Sequence, residues 1–298
     1  MRRFDGAGPQ RSTTPVAAPA FDIVHAAELE WEGAAAHRDG GVEFKTLFTN
    51  GGGAGNFWFT LTRIGEYSTP RHRHNFDQVR YMLDGGFGFG EQVQEEGQVG
   101  YFSEGSYYEQ QSQGPNTHVF LQCEGGSRAP YLSPQDTRAI GKELASIGRF
   151  ERGHYIPPGG TEADARDGFE AVWEHATGQP VRYSEPRFPT PVIVDPANFA
   201  YLDDAAQPGV SHQQLMRVTE RDLRIGFDQV GAGATYEIVA DDRDTTIYFV
   251  EAGEGEVTGP GGERSTYGQW TAFRLGRGAR ATLVATTATK LFVLGLPV

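Results

Sequence analysis

The segment Arg71-His72-Arg73-His74-Asn75-Phe76-Asp77-Gln78 decides how the rest of this sequence is interpreted. Side chains two residues apart on a β-strand point to the same face, so a strand here would direct His72 and His74 the same way. Gln78 and Arg80 continue that parity. Two imidazoles, an amide and a guanidinium on one face predict a binding site for a metal ion or a small molecule.

Short alternating segments on both sides of this stretch predict a β-rich fold. Phe57, Phe59 and Leu61 alternate with a second set of side chains and share one strand face. The 40 glycines and 12% aromatic residues favour short strands and tight turns over long helices. We therefore expect one β-barrel over residues 21–132 and a second over residues 190–298.

The segment between the two β-rich blocks has helical signals. Ser133-Pro134 is typical of an N-cap and a first helical turn, and it predicts a helix that ends near Gly148. Thr161 is a candidate N-cap for a second helix, which Gly178 would end. Apolar residues between them recur at helical spacing, so residues 133–189 are predicted to form a helical linker.

The two β-rich blocks also repeat each other, which predicts a duplicated domain of roughly a hundred residues. The matching segments occur in the same order in both blocks: Tyr81-Met82-Leu83-Asp84 with Tyr248-Phe249-Val250-Glu251, Gly97-Gln98-Val99-Gly100-Tyr101-Phe102 with Gly268-Gln269-Trp270-Thr271-Ala272-Phe273, and Gly105 with Gly276.

Each block resembles the cupin family of small antiparallel β-barrels, which has two signature motifs. The residues at the motif positions are, in order, Gly65, His72, His74, Gln78, Gly85, then Gly97, Gly105 and Tyr108. The resemblance covers nearly the whole chain apart from the N-terminal tail and the linker. It implies an all-β fold of two cupin barrels, of the double-stranded β-helix or jelly-roll type, with a short helical insert between them.

The resemblance also implies a metal site, because metal-binding cupins use two histidines, a glutamate and a later histidine. At those positions this chain has His72, His74, Gln78 and Tyr108. His118, on the next predicted strand, is a further candidate ligand. Two neutral imidazoles favour Fe, Ni, Cu or Zn over Mg. Gln78 offers only a neutral oxygen, and Tyr108 would have to lose its proton to become a strong ligand.

The second block has lost the family's ligands, so the C-terminal barrel is predicted to be structural. With the repeat aligned as above, the residues that replace His72, His74, Gln78 and Tyr108 are Val239, Asp241, Thr245 and Ala279. A single carboxylate without an imidazole is not enough to hold a catalytic metal.

Three functions are compatible with these residues. The leading hypothesis is a metalloenzyme with Fe(II) in the N-terminal barrel, which oxidises a small organic acid or phenolic with O2, while Arg80 holds a substrate carboxylate or enolate. The second is a metal-free isomerase or cyclase, in which His72 or His74 is the general base and Tyr108 the general acid. The third is a protein that binds a small ligand without turnover.

Composition limits the partners. The net charge of −13 argues against nucleic acid and anionic membrane surfaces, which would repel the chain. Cys123 is the only cysteine, so an intrachain disulfide is excluded and a cytoplasmic location is expected. Residues 1–20 lack large apolar groups and are predicted to be a flexible tail. We expect a small-molecule substrate and allow for a homodimer.

Overall fold

The protein is described by a computed structural model that covers residues 20–33, 41–49, 56–129, 131–219, 221–241, 243 and 245–296. Apart from Ala20, the predicted flexible tail lies outside the described residues, so that expectation stays a prediction. Within these ranges the chain is mainly β-strand with two α-helices, which confirms the predicted all-β class. None of the described helices is both long enough and apolar enough to span a bilayer.

The first β-rich block contains eleven strands separated by tight turns. They are β1 (Phe21–His25), β2 (Glu32–Gly33), β3 (Val42–Thr49), β4 (Phe57–Ile64), β5 (Ser68–His72), β6 (Phe76–Asp84), β7 (Phe87–Phe89), β8 (Gln92–Gln94), β9 (Val99–Phe102), β10 (Tyr108–Ser112) and β11 (Asn116–Glu124). A short 3-10 turn, Ala26–Glu28, follows the first strand.

The linker contains both helices and a small sheet that the sequence analysis missed. Its elements are α1 (Pro134–Ile147), β12 (Arg149–Glu151), β13 (His154–Ile156), β14 (Arg166–Asp167) and α2 (Gly168–Thr177). The strands pair in the order β12-β13-β14. Arg152 and Gly153 both have positive φ, +49° and +78°, which is the pattern of a type I′ hairpin turn.

The N-cap prediction is correct for the first helix and wrong for the second. Ser133 caps α1 as expected, because its Oγ accepts a hydrogen bond from the Asp136 N–H at 3.1 Å. Thr161 was the wrong N-cap for α2, since it begins only a 3-10 turn, Glu162–Asp164. The N-cap of α2 is Asp167, whose carboxylate accepts the Glu170 N–H at 3.0 Å.

The second β-rich block again has eleven strands. They are β15 (Val192–Val194), β16 (Leu202–Asp203), β17 (Val210–Val218), β18 (Leu223–Val230), β19 (Thr235–Val239), β20 (Thr246–Ala252), β21 (Gly255–Thr258), β22 (Arg264–Tyr267), β23 (Thr271–Leu275), β24 (Arg280–Ala285) and β25 (Thr289–Gly295).

The two barrels have the same topology. In the first, a seven-stranded sheet of order β15-β9-β6-β11-β4-β3-β2 lies with a four-stranded sheet of order β5-β10-β7-β8. In the second, the orders are β1-β23-β20-β25-β18-β17-β16 and β19-β24-β21-β22. The orders correspond strand for strand, which confirms the predicted pair of β-barrels.

Each barrel receives one edge strand from the other block. β1 pairs antiparallel with β23, from Phe21 opposite Leu275 to His25 opposite Thr271. β15 pairs in the same way with β9. Two strands therefore cross the predicted domain boundaries, which assign β1 to the first barrel and β15 to the second. The boundaries at residues 21, 133 and 190 stay a prediction.

One face of each large sheet packs against the other barrel. Phe59 and Phe249 are both fully buried there and meet edge to face, with their ring centroids 6.3 Å apart. Tyr81 contacts the rings of Phe227 and Phe292 at 5.0 and 4.9 Å. Because side chains alternate along a strand, the neighbours of Tyr81 in β6 point the other way, into the lumen of the first barrel.

The structural register of the repeat differs from the predicted one. The Gly97 N–H donates to the Met82 carbonyl at 2.9 Å, and the Trp270 N–H donates to the Val250 carbonyl at 2.7 Å. Gly97 and Trp270 also both have positive φ, +80° and +64°. The counterpart of Gly97 is therefore Trp270, and the predicted match with Gly268 was wrong.

The later glycine match was wrong by the same two residues. The Gly105 N–H donates to the His74 carbonyl at 2.8 Å, and the Gly278 N–H donates to the Asp241 carbonyl at 3.0 Å. Gly278, not Gly276, is thus the counterpart of Gly105. Residue identity misled the alignment, because a turn requires a positive φ and not a particular residue, and a tryptophan can adopt that φ at some cost.

Candidate functional site

The two histidines and Tyr108 come together in the lumen of the first barrel. His72 ends β5 and is paired opposite Tyr108 in β10. The His72 and His74 rings lie edge to face with centroids 4.9 Å apart, and the His72 and Tyr108 rings are 4.8 Å apart. All three side chains are buried. These groups therefore converge in the lumen, but the single strand expected through both histidines was wrong, because His72 ends β5 and His74 lies between β5 and β6.

A local contact orients the His72 ring. Its Nδ1 lies 2.8 Å from the Pro70 carbonyl oxygen, an acceptor only, so Nδ1 carries the proton in the neutral ring. Nε2 then has the lone pair. This is the tautomer in which a histidine can bind a metal or accept a proton through Nε2.

Gln78 joins Tyr108 to Arg80. Its Nε2 donates to the Tyr108 hydroxyl at 2.8 Å, and its Oε1 accepts from Arg80 Nη2 at 3.3 Å. The amide oxygen predicted to bind a metal is therefore engaged by a cation in this arrangement. Gln78 orients Tyr108, and its role as a ligand stays a prediction that requires the amide to turn.

Arg80 lies among aromatic rings. Its guanidinium carbon is 4.8 to 5.4 Å from the ring centroids of Phe87, Phe89, Phe102 and Phe120. Such cation–π contacts stabilise a charge that has left water. These four rings surround the guanidinium group. Arg80 does not line the cavity described below. Its predicted contact with a substrate anion stays a prediction.

His118 is not brought to the two other histidines. It is paired opposite Met82, four residues along β6 from Gln78, or about 13 Å at the usual rise of a strand. Its Nδ1 instead contacts Asn116 Oδ1 at 3.2 Å. Burial, and then the Arg80 charge, lower its pKa well below the ordinary value. His118 is best described as a neutral core histidine.

Across the described residues, no three histidine, cysteine, aspartate or glutamate side chains converge as a metal site would require. The donor set available at the lumen is consequently two imidazoles, one phenol and one amide. Two imidazoles suit a borderline metal ion such as Fe(II) or Zn(II), and the set leaves coordination positions open. The residues therefore fit a metal held weakly by few protein ligands.

The helical linker closes the mouth of this barrel over a cavity of ≈ 80 Å³. Phe169 and Trp173, four residues apart on α2, share the helix face that lines it. The Phe169 ring meets the His74 ring edge to face at 4.7 Å. His74 also lines the cavity, so this space adjoins the histidine pair.

Sequence reasoning missed two features of this cavity. The helical spacing of Phe169 and Trp173 was explained by packing alone, and nothing in the sequence indicates that α2 lies on the barrel mouth. Asn75 lies between the motif histidine and β6 and was not singled out. Its side chain is 2% exposed and lines the cavity.

Comparisons with solved structures match nearly the whole chain. A candidate dioxygenase from Nostoc punctiforme matches over 93% of this chain and 82% of its own, with 8% identity and a TM-score of 0.59. Oxalate decarboxylase from Bacillus subtilis matches over 92% of this chain and 77% of its own, with 11% identity and a TM-score of 0.56. This chain has the bicupin fold. No protein-family model and no curated protein sequence matches it.

The second barrel of this bicupin lacks the donors of the first. In the first barrel His72 is paired opposite Tyr108, and at the corresponding strand pair the second barrel has Ile238 opposite Ala281. The first barrel's His74 is matched by Asp241 through the shared backbone hydrogen bond. These positions correct two predicted replacements, Val239 and Ala279, without adding a ligand.

The corrected register also changes the counterparts along β6. Since Met82 matches Val250, Thr246 stands at the position of Gln78, where Thr245 was predicted. Tyr248 stands at the position of Arg80, not Tyr81. The second lumen is therefore largely apolar, which agrees with a structural role for this barrel.

Proposed function

We propose that the N-terminal barrel is the active site of a metalloenzyme, with a divalent metal bound by His72 and His74. The observation that most supports this proposal is that the two buried imidazole rings are nearly perpendicular, with their centroids 4.9 Å apart. Rings whose nitrogens share one metal at about 2.1 Å have centroids roughly 4.5 to 5.5 Å apart. The Nδ1 proton of His72, directed at the Pro70 carbonyl, supports the same assignment.

Tyr108 is the third candidate donor. Its hydroxyl oxygen accepts from Gln78 Nε2 at 2.8 Å, and the phenol O–H bond is itself a hydrogen-bond donor. Tyr108 would thus act as a general acid or, after losing that proton, as a ligand. Arg80 lies next to this pair, since its Nη2 donates to the Gln78 amide oxygen at 3.3 Å.

Fe(II) is the first metal to test, with Ni(II), Cu(II) and Zn(II) as alternatives. Mn(II) joins them, because the similar oxalate decarboxylase contains Mn(II) centres. When bound, the metal would supply Lewis acidity and, if it is Fe(II), reactivity toward O2 with a small organic acid or phenolic. The chain's own contribution is to position the substrate beside His74 and to exclude water with the helices.

A metal-free isomerase or cyclase is the second candidate. It is favoured by the lack of a third histidine or carboxylate at the pair, within the part of the chain that the structure describes. In that case His74, which lines the cavity, is the general base and Tyr108 the general acid. A homodimer and a cytoplasmic location stay predictions.

Metal content separates the two candidates. We expect wild-type protein, purified without a metal-binding tag, to retain a divalent metal, and His72→Ala or His74→Ala to retain only background amounts. Gln78→Glu should raise the affinity, since it restores a carboxylate at the family's ligand position. His118→Leu is the matched control, a buried histidine of the same barrel whose loss should leave metal content unchanged.

Circular dichroism of each variant verifies folding. Folded wild-type protein that stays metal-free after incubation with Fe(II), Mn(II), Ni(II), Cu(II) and Zn(II) would reject the metalloenzyme and favour the acid–base candidate. Equal metal loss in His118→Leu and in His72→Ala would reject the assignment of the ligands.

A further inference from the structure

We propose that the cavity under the helices binds a small uncharged carboxamide group, recognised by Asn75. The statement that this group belongs to a substrate rests on the proposed function, whereas the binding site itself does not. The cavity lies between the mouth of the first barrel and α2, and His74 forms part of its wall.

Asn75 supplies the polar recognition. Its side chain is buried, lines the cavity, and neither its Oδ1 nor its Nδ2 has a hydrogen-bond partner in the structure. A buried amide with both atoms unsatisfied costs free energy of folding, and such a group calls for a functional explanation. Its neighbouring acceptor and donor complement a ligand that presents one donor beside one acceptor, as a carboxamide does.

The walls favour a flat and uncharged ligand. Phe76, Phe169, Trp58 and Trp173 line the cavity. Aromatic faces stack well on a planar amide, whereas an ionised carboxylate would lose its hydration there without compensation.

The one guanidinium in the wall is already paired. Arg138 lines the cavity, but it forms a salt bridge with Glu32, across the barrel mouth in β2. That pairing lowers its attraction for an anionic ligand. With this charge partly offset, the mainly aromatic wall favours a neutral amide over a carboxylate.

The volume limits the ligand to a small group. A cavity of about 150 Å³ admits the six carbons of benzene, so ≈ 80 Å³ accommodates roughly three to four non-hydrogen atoms. Acetamide has this size. A larger substrate, including an organic acid, would place only an amide end here, beside His74, and would keep its carboxylate outside this cavity.

The test is a titration of metal-stripped protein with acetamide, followed by tryptophan fluorescence. Trp58 and Trp173 line the cavity and report its occupation. We expect saturable binding with a Kd in the millimolar range, as for a ligand of about four heavy atoms. Acetate, an anion of the same shape, should bind at least about tenfold more weakly at pH 7.5.

Variants of Asn75 test the recognition. Asn75→Leu keeps the volume without the amide, and Asn75→Ala removes it; each should weaken acetamide binding by about tenfold or more, since two hydrogen bonds are lost. The matched control is Asn116→Ala, an equally buried asparagine of the same barrel that bonds to His118 and does not line the cavity. It should leave the Kd unchanged.

A size change gives an independent test. Benzamide is too large for the wild-type cavity but should bind Phe169→Ala, in which a wall ring is missing. Phe169→Leu replaces it if the alanine variant fails to fold. Wild-type protein that does not bind acetamide, or that binds acetate equally well, would overturn the proposal, as would unchanged acetamide binding in folded Asn75→Leu.

The two proposals fail separately. If the protein binds acetamide but never takes up metal, the cavity proposal is supported and the metalloenzyme proposal is rejected. Metal uptake without acetamide binding would have the opposite meaning.

Discussion

Replacing Phe249 with alanine tests the packing of the two barrels against each other. The Phe249 ring is fully buried between the large sheets, where it meets the ring of Phe59. Removing a buried phenyl ring costs about 3 to 5 kcal/mol, from lost transfer free energy and the cavity left behind. With a urea dependence of about 3 kcal/mol per molar, the unfolding midpoint should fall by roughly 1 M.

Urea unfolding followed by tryptophan fluorescence and by circular dichroism provides the measurement. A double-mutant cycle with Phe59→Ala should give a coupling free energy of about 0.5 to 1.5 kcal/mol, because the two rings touch. Phe273, fully buried in the second barrel and stacked on Tyr248, provides the control, and its loss should be additive with that of Phe59. Additivity of Phe249→Ala with Phe59→Ala, or a loss below about 1 kcal/mol, would refute the described interface.

Three further outcomes follow from single side chains. Burial lowers the pKa of His118, so the folded protein keeps this side chain neutral, while the unfolded chain protonates it near pH 6.5. The contribution of His118 to stability should therefore be full above that pH and decline below it. His118→Leu should remove this decline in urea titrations at pH 5 and 7.5. Arg221 donates to the buried Glu124 carboxylate at 2.9 Å, so Arg221→Met should cost about 3 to 5 kcal/mol, most of which Arg221→Met with Glu124→Leu should recover in the same assay. Arg152 has a positive φ in an exposed hairpin turn, so Arg152→Asn should increase the free energy of unfolding by about 0.5 kcal/mol and raise the thermal midpoint slightly. A lower midpoint would contradict the turn type.

The lumen of the first barrel was predictable because strand geometry has a period of two. Once a strand was expected through Gln78 and Arg80, these two side chains had to share a face. That His72 joins them was not fixed by this rule, because His72 ends β5, a strand of the other sheet. The alignment of the repeat was less predictable. Matching glycines placed Gly97 with Gly268, but a positive φ at Trp270 shows that the same turn can be made by another residue.

The sequence by itself determined the fold class, the duplication and the histidine pair, because alternation, turn residues and short-range spacing are local properties of the chain. Only the tertiary structure decided which groups lie beside that pair. It separates His118 from His72 by pairing it opposite Met82, engages the Gln78 oxygen with Arg80, and seats α2 over His74. These contacts join residues far apart in the chain, and their partners are set by strand register and packing, which no local pattern encodes.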